Sequence, residues 1–472
     1  MKTNLLKKLL LPSAMLVPLA AVAAQPQTPN VIVIFMDDMG YGDIGTTGAI
    51  GYDTPNLDKM AAEGMHFTRF YAAQAVCTAS RVGLLTGCYP NRIGYSGALG
   101  PSSRIGLGEK EETIADVLRK KGYATAAFGK WHLGHLPHAL PTRHGFDEYY
   151  GIPYSNDMWP RHPTRKFPDL PLIEGDKPVE LNPDQSQFTA NFTNRALQFI
   201  DKNKNKPFFI YLAHPMPHVP LAVSEKFKGK SRQGLYGDVI MEIDWSVGQI
   251  LDKLRREGLE ENTLVVVTSD NGPWLNYGNH AGTTGGLREG KGTSFEGGQR
   301  VPCIMQWKGV IPAATICNKL SSTLDLLPTF AHIAGAPPPP HKIDGVNIIS
   351  LLRHEPDANP RESFCYYYRK NSLEAVTDGN FKLIFPHPHR TYEGFAPGAD
   401  GKPGPVNGNA KLEIPLLYDL RRDPGERYNV IGQYPEVRAK LEQIAAAIRE
   451  DIGDDLTGVV GKNNRRPSIA SR

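Results

Sequence analysis

The sequence predicts an α/β fold: a large, mostly parallel (mixed) β-sheet sandwiched by helices, with a smaller C-terminal α+β subdomain containing a short antiparallel sheet. The first observation is that buried apolar strand segments alternate with amphipathic helical segments over the first two thirds of the chain. Such alternation favours parallel strands with helices on both faces. The second is a proline run at 337–340, after which short strands joined by turns replace the alternation.

Residues 1–24 are expected to be a signal peptide rather than part of the fold. A basic start is followed by an apolar run and by small residues before a cleavage site near Ala24. A membrane anchor is the alternative, but the apolar run is short and interrupted by proline. Because no later apolar run is long enough to span a bilayer, we expect a periplasmic or secreted protein without stable membrane insertion.

Residues 25–340 are predicted to form the main domain. Its strands are expected to be nearly continuous apolar runs that end in polar residues, at 30–40, 123–134, 206–218 and 263–272. Its helices are predicted from apolar periodicity at 54–64, 111–122, 187–203 and 236–258.

Residues 341–472 are predicted to form the C-terminal subdomain. Short strand-like segments are joined by turns, one of them at Asp378-Gly379. An amphipathic helix follows at 436–451, and a polar tail begins at about residue 455.

Composition excludes some functions and leaves one cysteine unexplained. The formal charge of +4 is too small to indicate nucleic-acid binding, and no basic stripe with interleaved aromatic residues is present. Five cysteines in 472 residues do not make a disulfide scaffold. The spacing of Cys88, Cys303, Cys317 and Cys365 does not reveal whether or how they pair, and the odd count draws attention to Cys77.

The four main predicted strands all end in clusters of polar residues. Open α/β sheets bind ligands at the carboxyl ends of their strands. Taken singly, each cluster also fits an ordinary turn or surface loop; taken together, they predict one binding site. The clusters are Asp37-Asp38, Lys130 with His132, His214 with His218, and Asp270-Asn271.

The residue types in these clusters favour a hard cation and an anionic substrate. Three carboxylates and an amide oxygen suit Ca²⁺, whereas zinc sites use more Cys and His. Lys130, Lys291, Arg81 and the histidines would then surround an anion. A metal ion with several cations facing one pocket is suited to a phosphate or sulfate ester.

Cys77 and Arg81 are spaced to share one face of a helix that begins near the cysteine. The partial positive charge of a helix N-terminus would depress the thiol pKa, which predicts a nucleophile. A structural cysteine, buried near a helix start, is the alternative.

Several sequence motifs follow one another over most of residues 28–330. These are DDMGYGDIGTTG, TPNLDKMAAEGMHFTRFYAA, CTASR with LLTG, GKWHLG, HGFDEYYGIPYSNDM, HPMPHVPL, SDNGP and GKGTSFEGGQRVP. In this order they resemble the type I, formylglycine-dependent sulfatases of the alkaline phosphatase superfamily, with a lean towards the arylsulfatase A-like branch.

This resemblance implies a role for each core residue. Cys77 would be oxidised to formylglycine, whose hydrate attacks sulfur and then eliminates sulfate. Asp37, Asp38, Asp270 and Asn271, with residue 77, would bind one Ca²⁺. The resemblance further implies that Arg81 and His132 hold the hydrate, that Lys130 and Lys291 bind sulfate, and that His218, or alternatively His214, protonates the leaving oxygen.

One position departs from the family pattern. Many relatives have proline two residues after the cysteine, and this chain has Ala79. Ala79 resembles the substrates of bacterial radical-type maturases, so a sulfatase-maturating enzyme of that kind is an expected partner. A host without it would leave Cys77 as a thiol.

The expected substrate is a sulfated oligo- or polysaccharide, with a galactose-type sugar favoured, as in algal galactans or glycosaminoglycans. Trp159, Arg161, His162 and Arg165 could line a sugar subsite or form an ordinary surface loop. Two alternatives differ in class: a phosphoester or phosphonate hydrolase of the same superfamily, and a non-catalytic protein that binds sulfated glycans. The complete set of core residues disfavours the second.

Overall fold

A computed structural model describes residues 28–469, so the expected signal peptide at 1–24 lies outside the described residues. The first two thirds of this range form a helix–sheet–helix sandwich. Its strands are β1 Asn30–Met36, β2 Met65–Tyr71, β3 Ile105–Gly106, β4 Ala124–Lys130, β5 Glu148–Ile152, β6 Pro171–Glu174, β7 Lys177–Leu181, β8 Phe208–Ala213, β9 Thr263–Ser269, β10 Arg300–Gln306, β11 Thr315–Cys317 and β12 Ser321–Ser322.

The central sheet of the described chain is eleven-stranded and mixed, with the order β11-β2-β10-β9-β1-β8-β4-β5-β6-β7 and with β12 beside β2. Its middle is parallel, because β9, β1, β8, β4 and β5 pair with one another in the same direction. Strands β10, β6 and β7 add antiparallel pairs towards the edges. The predicted sheet is confirmed.

Two layers of helices cover the sheet, as the alternating sequence pattern predicts. Val31, Val33 and Phe35 of β1 pack in one core with α2, α3 and α7. Ile32 and Ile34 point to the other face and pack with α1, α4 and α5. The helices are α1 Pro55–Ala62, α2 Cys77–Thr86, α3 Ile114–Arg119, α4 Phe188–Asn203, α5 Gly234–Arg256, α6 Glu296–Gln299, α7 Leu326–Ile333, α8 Ile349–Leu352 and α9 Pro435–Ile452.

The predicted C-terminal antiparallel sheet is also confirmed. Strands β13, β14, β15 and β18 form it in that order, and α9 packs against it. A separate hairpin joins β16 and β17. The strands are β13 Phe364–Tyr368, β14 Ser372–Thr377, β15 Phe381–Ile384, β16 His387–Thr391, β17 Asn407–Leu412, β18 Leu416–Asp419, β19 Gly453–Asp454, β20 Val459–Val460 and β21 Ser468–Ile469.

The end of the described chain returns to the main domain. Strand β21 pairs with β3, and the Arg465 guanidinium donates to Glu111 at 2.7 and 2.8 Å. The buried guanidinium of Arg92 contacts both Asp344 and Asp451, at 2.5 and 2.6 Å. The core of the C-terminal sheet also includes Tyr71 of β2. Burial and ion pairs therefore join the two parts.

The described cysteines are all free thiols. Cys303 of β10 and Cys317 of β11 both pair in register with Phe67 of β2, one on each side. Two strand spacings amount to about 9.5 Å, too far for a disulfide between them. Among residues 28–469, no helix is long and apolar enough to cross a bilayer.

Candidate active site

The four polar clusters meet at one edge of the sheet. They follow β9, β1, β8 and β4, which are consecutive parallel neighbours, so their carboxyl ends lie side by side. Helix α2 and the 284–294 loop complete the site. Each core side chain is at most 5 % exposed; the set is Asp37, Asp38, Cys77, Arg81, Lys130, His132, His218, Asp270, Asn271 and Lys291.

Close backbone packing positions the end of β4. Gly129 has φ +110, and a Cβ at this position would lie 2.0 Å from the carbonyl oxygen of Ala213 on β8. Only glycine permits both this conformation and this approach. The next residue, Lys130, is thereby held beside the end of β1, where its amine forms an ion pair with Asp37 and donates to Ser155 at 3.0 Å.

Arg81 ties the helix to the strand ends. Its Nη2 lies 3.0 Å from Asp37 Oδ2 and 2.9 Å from Asp270 Oδ2, and its Nη1 donates to the Lys130 carbonyl at 2.9 Å. All these groups are buried, so the charge-assisted hydrogen bonds are strong and directional. The predicted shared face of Cys77 and Arg81 therefore points into the site.

A second set of contacts organises Asp38. Its backbone is left-handed, with φ 66, and its N–H donates to Asp270 Oδ1 at 3.1 Å. Its carboxylate accepts from Lys291 Nζ at 2.7 and 2.9 Å and from Asn271 Nδ2 at 2.7 Å. Lys291 Nζ also lies 4.7 Å from the ring centroid of Trp274, a cation–π contact.

Cys77 is the first residue of α2, and one donor atom from each of Cys77, Asp37 and Asp270 lies within 4.8 Å of the other two. The expectation of a depressed thiol pKa is wrong. Burial raises the pKa of Cys77 to about 11, although Lys130 and Lys291 oppose the shift. Desolvation therefore outweighs the helix N-terminus, and the unmodified thiol is a poor nucleophile at neutral pH.

The oxygen atoms around residue 77 fit a hard cation. Asp37 Oδ1 and Asn271 Oδ1 are buried without a hydrogen-bond partner, which is costly unless another group satisfies them. Burial and the Asp37 charge raise the pKa of Asp270 to about 7. Burial alone would also raise the pKa of Asp37, but Lys130, His218 and the other cations hold it well below its usual range. Crowded carboxylates with free lone pairs are typical of a Ca²⁺ site.

The structure separates the two candidate acids. His218 Nε2 lies 3.7 Å from Asp38 Oδ2, and its donor atom groups with those of Asp37 and Asp38. His214 instead bonds through Nε2 to the Ser246 hydroxyl of α5 at 3.0 Å. His214 therefore packs against the helix layer, whereas His218 faces the carboxylates.

His132 lies beside the cluster as well. Its Nε2 bonds to the Leu99 carbonyl at 2.8 Å, and its buried Nδ1 has no partner. Burial and the charge of Lys130 lower the pKa of His132 well below its usual value. A neutral ring with one unsatisfied nitrogen is suited to hold a polar group at residue 77.

The 159–165 loop carries the four residues considered for a sugar subsite. Trp159 is partly buried, and the Arg161 guanidinium stacks 5.2 Å from its ring centroid. His162 Nδ1 accepts from the Arg165 N–H at 3.0 Å, so this ring shapes its own loop. Burial and the charge of Asp157 raise the pKa of Tyr277 to about 12, with Lys291 and Arg165 opposing.

Several contributors were missed by sequence reasoning. Ser155 binds Lys130, and Trp274 lies beneath both Lys291 and His218, 5.6 Å from the latter ring. Both stand in motifs quoted for the resemblance or directly after one, which was the available signal. Tyr368 of the C-terminal sheet packs against the cluster of Val76, Cys77 and Ala79, and the Tyr392 hydroxyl donates to the Lys291 carbonyl at 2.6 Å. No local pattern marks these two.

Family profiles and similar proteins of known function point to the same family. The sulfatase family profile matches residues 29–336, and a profile for the C-terminal region of aryl-sulfatase matches residues 359–470. N-acetylgalactosamine-6-sulfatase of Mus musculus is 38 % identical over 455 residues, covering 91 % of this chain and 87 % of the relative. Arylsulfatase A of Homo sapiens is 38 % identical over 463 residues, covering 92 % and 90 %.

Solved structures agree with the sequence relatives. The PsFucS1 sulfatase from Pseudoalteromonas sp. superimposes with a TM-score of 0.79 at 27 % identity, covering 89 % of this chain and 90 % of that one. Ps i-CgsB in complex with k-i-k-neocarrahexaose gives a TM-score of 0.74 at 28 % identity, covering 89 % and 93 %. The family profile, the full-length relatives and the fold together show that this chain belongs to the sulfatase family and is a sulfuric ester hydrolase.

Proposed function

We propose that this enzyme removes sulfate from a sulfated carbohydrate, using formylglycine made from Cys77 and one bound Ca²⁺. One observation carries the proposal: oxygens of Asp37 and Asp270 lie within 4.8 Å of the Cys77 sulfur, Asp38 adjoins Asp37, and Lys130 and Lys291 pair with Asp37 and Asp38. Cationic side chains next to carboxylates at one helix N-terminus are suited to bind an anionic ester beside a nucleophile.

Asp37, Asp38, Asp270 and Asn271 would hold the ion. The partnerless Oδ1 atoms of Asp37 and Asn271 are the best candidates for ligands, since their present surroundings leave them unsatisfied. A bound Ca²⁺ would supply positive charge that polarises the sulfate ester and residue 77. Arg81 fixes the orientation of Asp37 and Asp270 through its two short contacts.

Residue 77 would supply the nucleophile after conversion, because a hydrated aldehyde carries one hydroxyl to attack sulfur and another whose collapse releases sulfate. The chain's own groups would position it. His132 offers a free Nδ1, and Lys130 and Lys291 form ion pairs with Asp37 and Asp38 in the same cluster. The two lysines would bind the sulfate oxygens and offset the charge that develops in the transition state.

We assign His218 as the general acid because it faces the carboxylates. His214 does not face them and is not assigned this role. We expect His218→Ala to lower kcat on a carbohydrate sulfate by about 10²- to 10⁴-fold, because a sugar alkoxide is a poor leaving group without a proton. The loss should be much smaller with 4-nitrophenyl sulfate, whose leaving group is stable unprotonated. Steady-state kinetics on both esters measure this difference.

His214→Ala is the matched comparison. Since His214 bonds to Ser246 within the helix layer, its loss should lower thermal stability without changing the ratio of rates between the two esters. A leaving-group dependence that followed His214 rather than His218 would reverse the assignment.

The substrate is proposed to be a galactose-type sulfated sugar. Two features support this: one relative is named for N-acetylgalactosamine-6-sulfate, and a structural neighbour was solved with a neocarrahexaose. Arg161 stacks on Trp159 in the loop that also carries His162 and Arg165, and an aromatic ring beside cations suits an acidic saccharide.

Sulfate release from a matched panel tests the substrate class. We expect kcat/KM on sulfated galactose or N-acetylgalactosamine units to exceed that on sulfated glucosamine units by at least about tenfold. Phosphate esters of the same sugars should react far more slowly. A preference for the phosphate esters would instead support the phosphoesterase alternative.

Maturation and location complete the proposal. Ala79 and the basic, apolar N-terminal residues support conversion by a radical-type sulfatase-maturating enzyme and export to the periplasm or medium. The buried position of Cys77 in the folded chain supports conversion before folding is complete.

A further inference from the structure

Arg390 is a half-buried cation near the active site without a carboxylate partner. The only side chain within hydrogen-bond distance of its guanidinium, among residues 28–469, is the Tyr392 hydroxyl at 3.4 Å from Nη1. Other buried guanidinium groups are paired: Arg81 with Asp37, Arg92 with Asp344, and Arg361 with Asp325. Burying an unpaired charge costs free energy. The unpaired guanidinium of Arg390 therefore suggests a binding site for an anion that does not belong to the chain.

The position of Arg390 links it to the site. It lies on β16 of the C-terminal hairpin, next to the 290–294 loop. A Cβ built on Gly292 would lie 3.0 Å from Arg390 Nη1 and 3.1 Å from the Tyr368 hydroxyl. Tyr368 packs against the cluster of Val76, Cys77 and Ala79 at the start of α2, so its side chain reaches from that cluster to Gly292.

Arg390 and Lys291 serve different positions. Lys291 is the residue before Gly292, but its amine points to Asp38 and stacks on Trp274. Arg390 instead contacts Gly292 and Tyr392 on the C-terminal side. Arg390 is therefore a second cation at the loop that carries Lys291, and it is not engaged by the carboxylate that holds the Lys291 amine.

We propose that Arg390 binds a second anionic group of the substrate, a carboxylate or sulfate on the sugar that bears the scissile ester or on its neighbour. This inference rests on the proposed function. The planar guanidinium donates two parallel hydrogen bonds to a carboxylate or sulfate, which gives orientation as well as affinity. Arg390 thus makes the C-terminal subdomain a determinant of specificity for polyanionic saccharides.

The test compares kcat/KM on three saccharides that share one scissile sulfate. One carries no other charge, one has a neighbouring uronate, and one has a second sulfate. We expect Arg390→Ala to lower the ratio of kcat/KM, dianionic over monoanionic, by about 10- to 100-fold, mostly through KM. Arg390→Lys should lower this kcat/KM ratio less than Arg390→Ala does, because an amine keeps the charge but lacks the two parallel N–H donors of a guanidinium. The saccharide that shows the loss identifies carboxylate or sulfate as the ligand.

Arg256→Ala, at the exposed end of α5, is the control and should leave the ratio unchanged. A ratio unaffected by Arg390→Ala, or an equal loss on all three saccharides, would overturn the inference. Calorimetric binding of the desulfated, uronate-containing saccharide tests Arg390 without turnover. A wild-type enzyme that releases no sulfate would refute the proposed function, whereas this binding measurement would still decide the role of Arg390.

Discussion

Replacing Cys77 with alanine is expected to lower kcat/KM for any sulfate ester by at least about 10⁴-fold. Residue 77 supplies the attacking group, and the surrounding lysines only stabilise charge. Without residue 77 the site therefore has no nucleophile that can displace the alcohol from sulfur. Binding should persist, since Lys130, Lys291 and the carboxylates remain. Sulfate release measured by ion chromatography, together with the affinity for a sulfated product analogue, separates the two effects.

Cys317→Ala is the control for this substitution. Cys317 is also buried, but it lies on β11 at the far edge of the sheet, so its loss should affect stability and leave turnover nearly intact. Enzyme made in a host without a maturating enzyme should resemble Cys77→Ala, because burial holds the thiol pKa near 11. Retention of more than a few per cent of activity by Cys77→Ala would refute the role of residue 77.

The second large effect is expected from removal of the ion. Chelation should abolish activity, by at least about 10³-fold, and should lower Tm, because the buried Oδ1 atoms of Asp37 and Asn271 would then lose the group that satisfies them. Added Ca²⁺ should raise Tm progressively with its free concentration, since a ligand that binds only the folded state stabilises it. Differential scanning fluorimetry and activity assays over a calcium titration measure both.

Two variants test where the ion binds. Asp38→Asn should weaken the calcium dependence of Tm and of activity together, because it removes a buried charge from the cluster. Asp252→Asn, exposed on α5, should change neither. Full activity and an unchanged Tm in fully chelated protein would contradict the calcium assignment.

Much of the site could be predicted from sequence because it follows from periodicity. Asp37 and Asp270 stand directly after apolar runs, and parallel strands bring such ends to one edge whatever their order in the sheet. Lys130 was predictable for the same reason. The sequence could not choose between His214 and His218, because both follow the end of β8 and the loop, not the strand, decides where their side chains point. The structure turns His214 to Ser246 and His218 to Asp38.

What could not be predicted depends on packing between distant segments. The raised pKa of Cys77 follows from its burial, which local spacing does not reveal. Desolvation raises the thiol pKa by more than the helix N-terminus lowers it. Tyr368 of the C-terminal subdomain packs against the cluster that contains Cys77, and Arg390 lies beside Gly292. Neither lies in a motif with recognisable chemistry, so only the folded chain brings them near the strand ends.

The central claim is that residue 77 is converted before it acts, and one measurement addresses it most directly. Mass spectrometry of the proteolytic peptide that contains residue 77, taken from active enzyme, should give the mass of the aldehyde in proportion to specific activity. Protein from a host without the maturating enzyme should give the thiol mass and little turnover. Fully active enzyme whose peptide carries only the unmodified thiol would contradict the account.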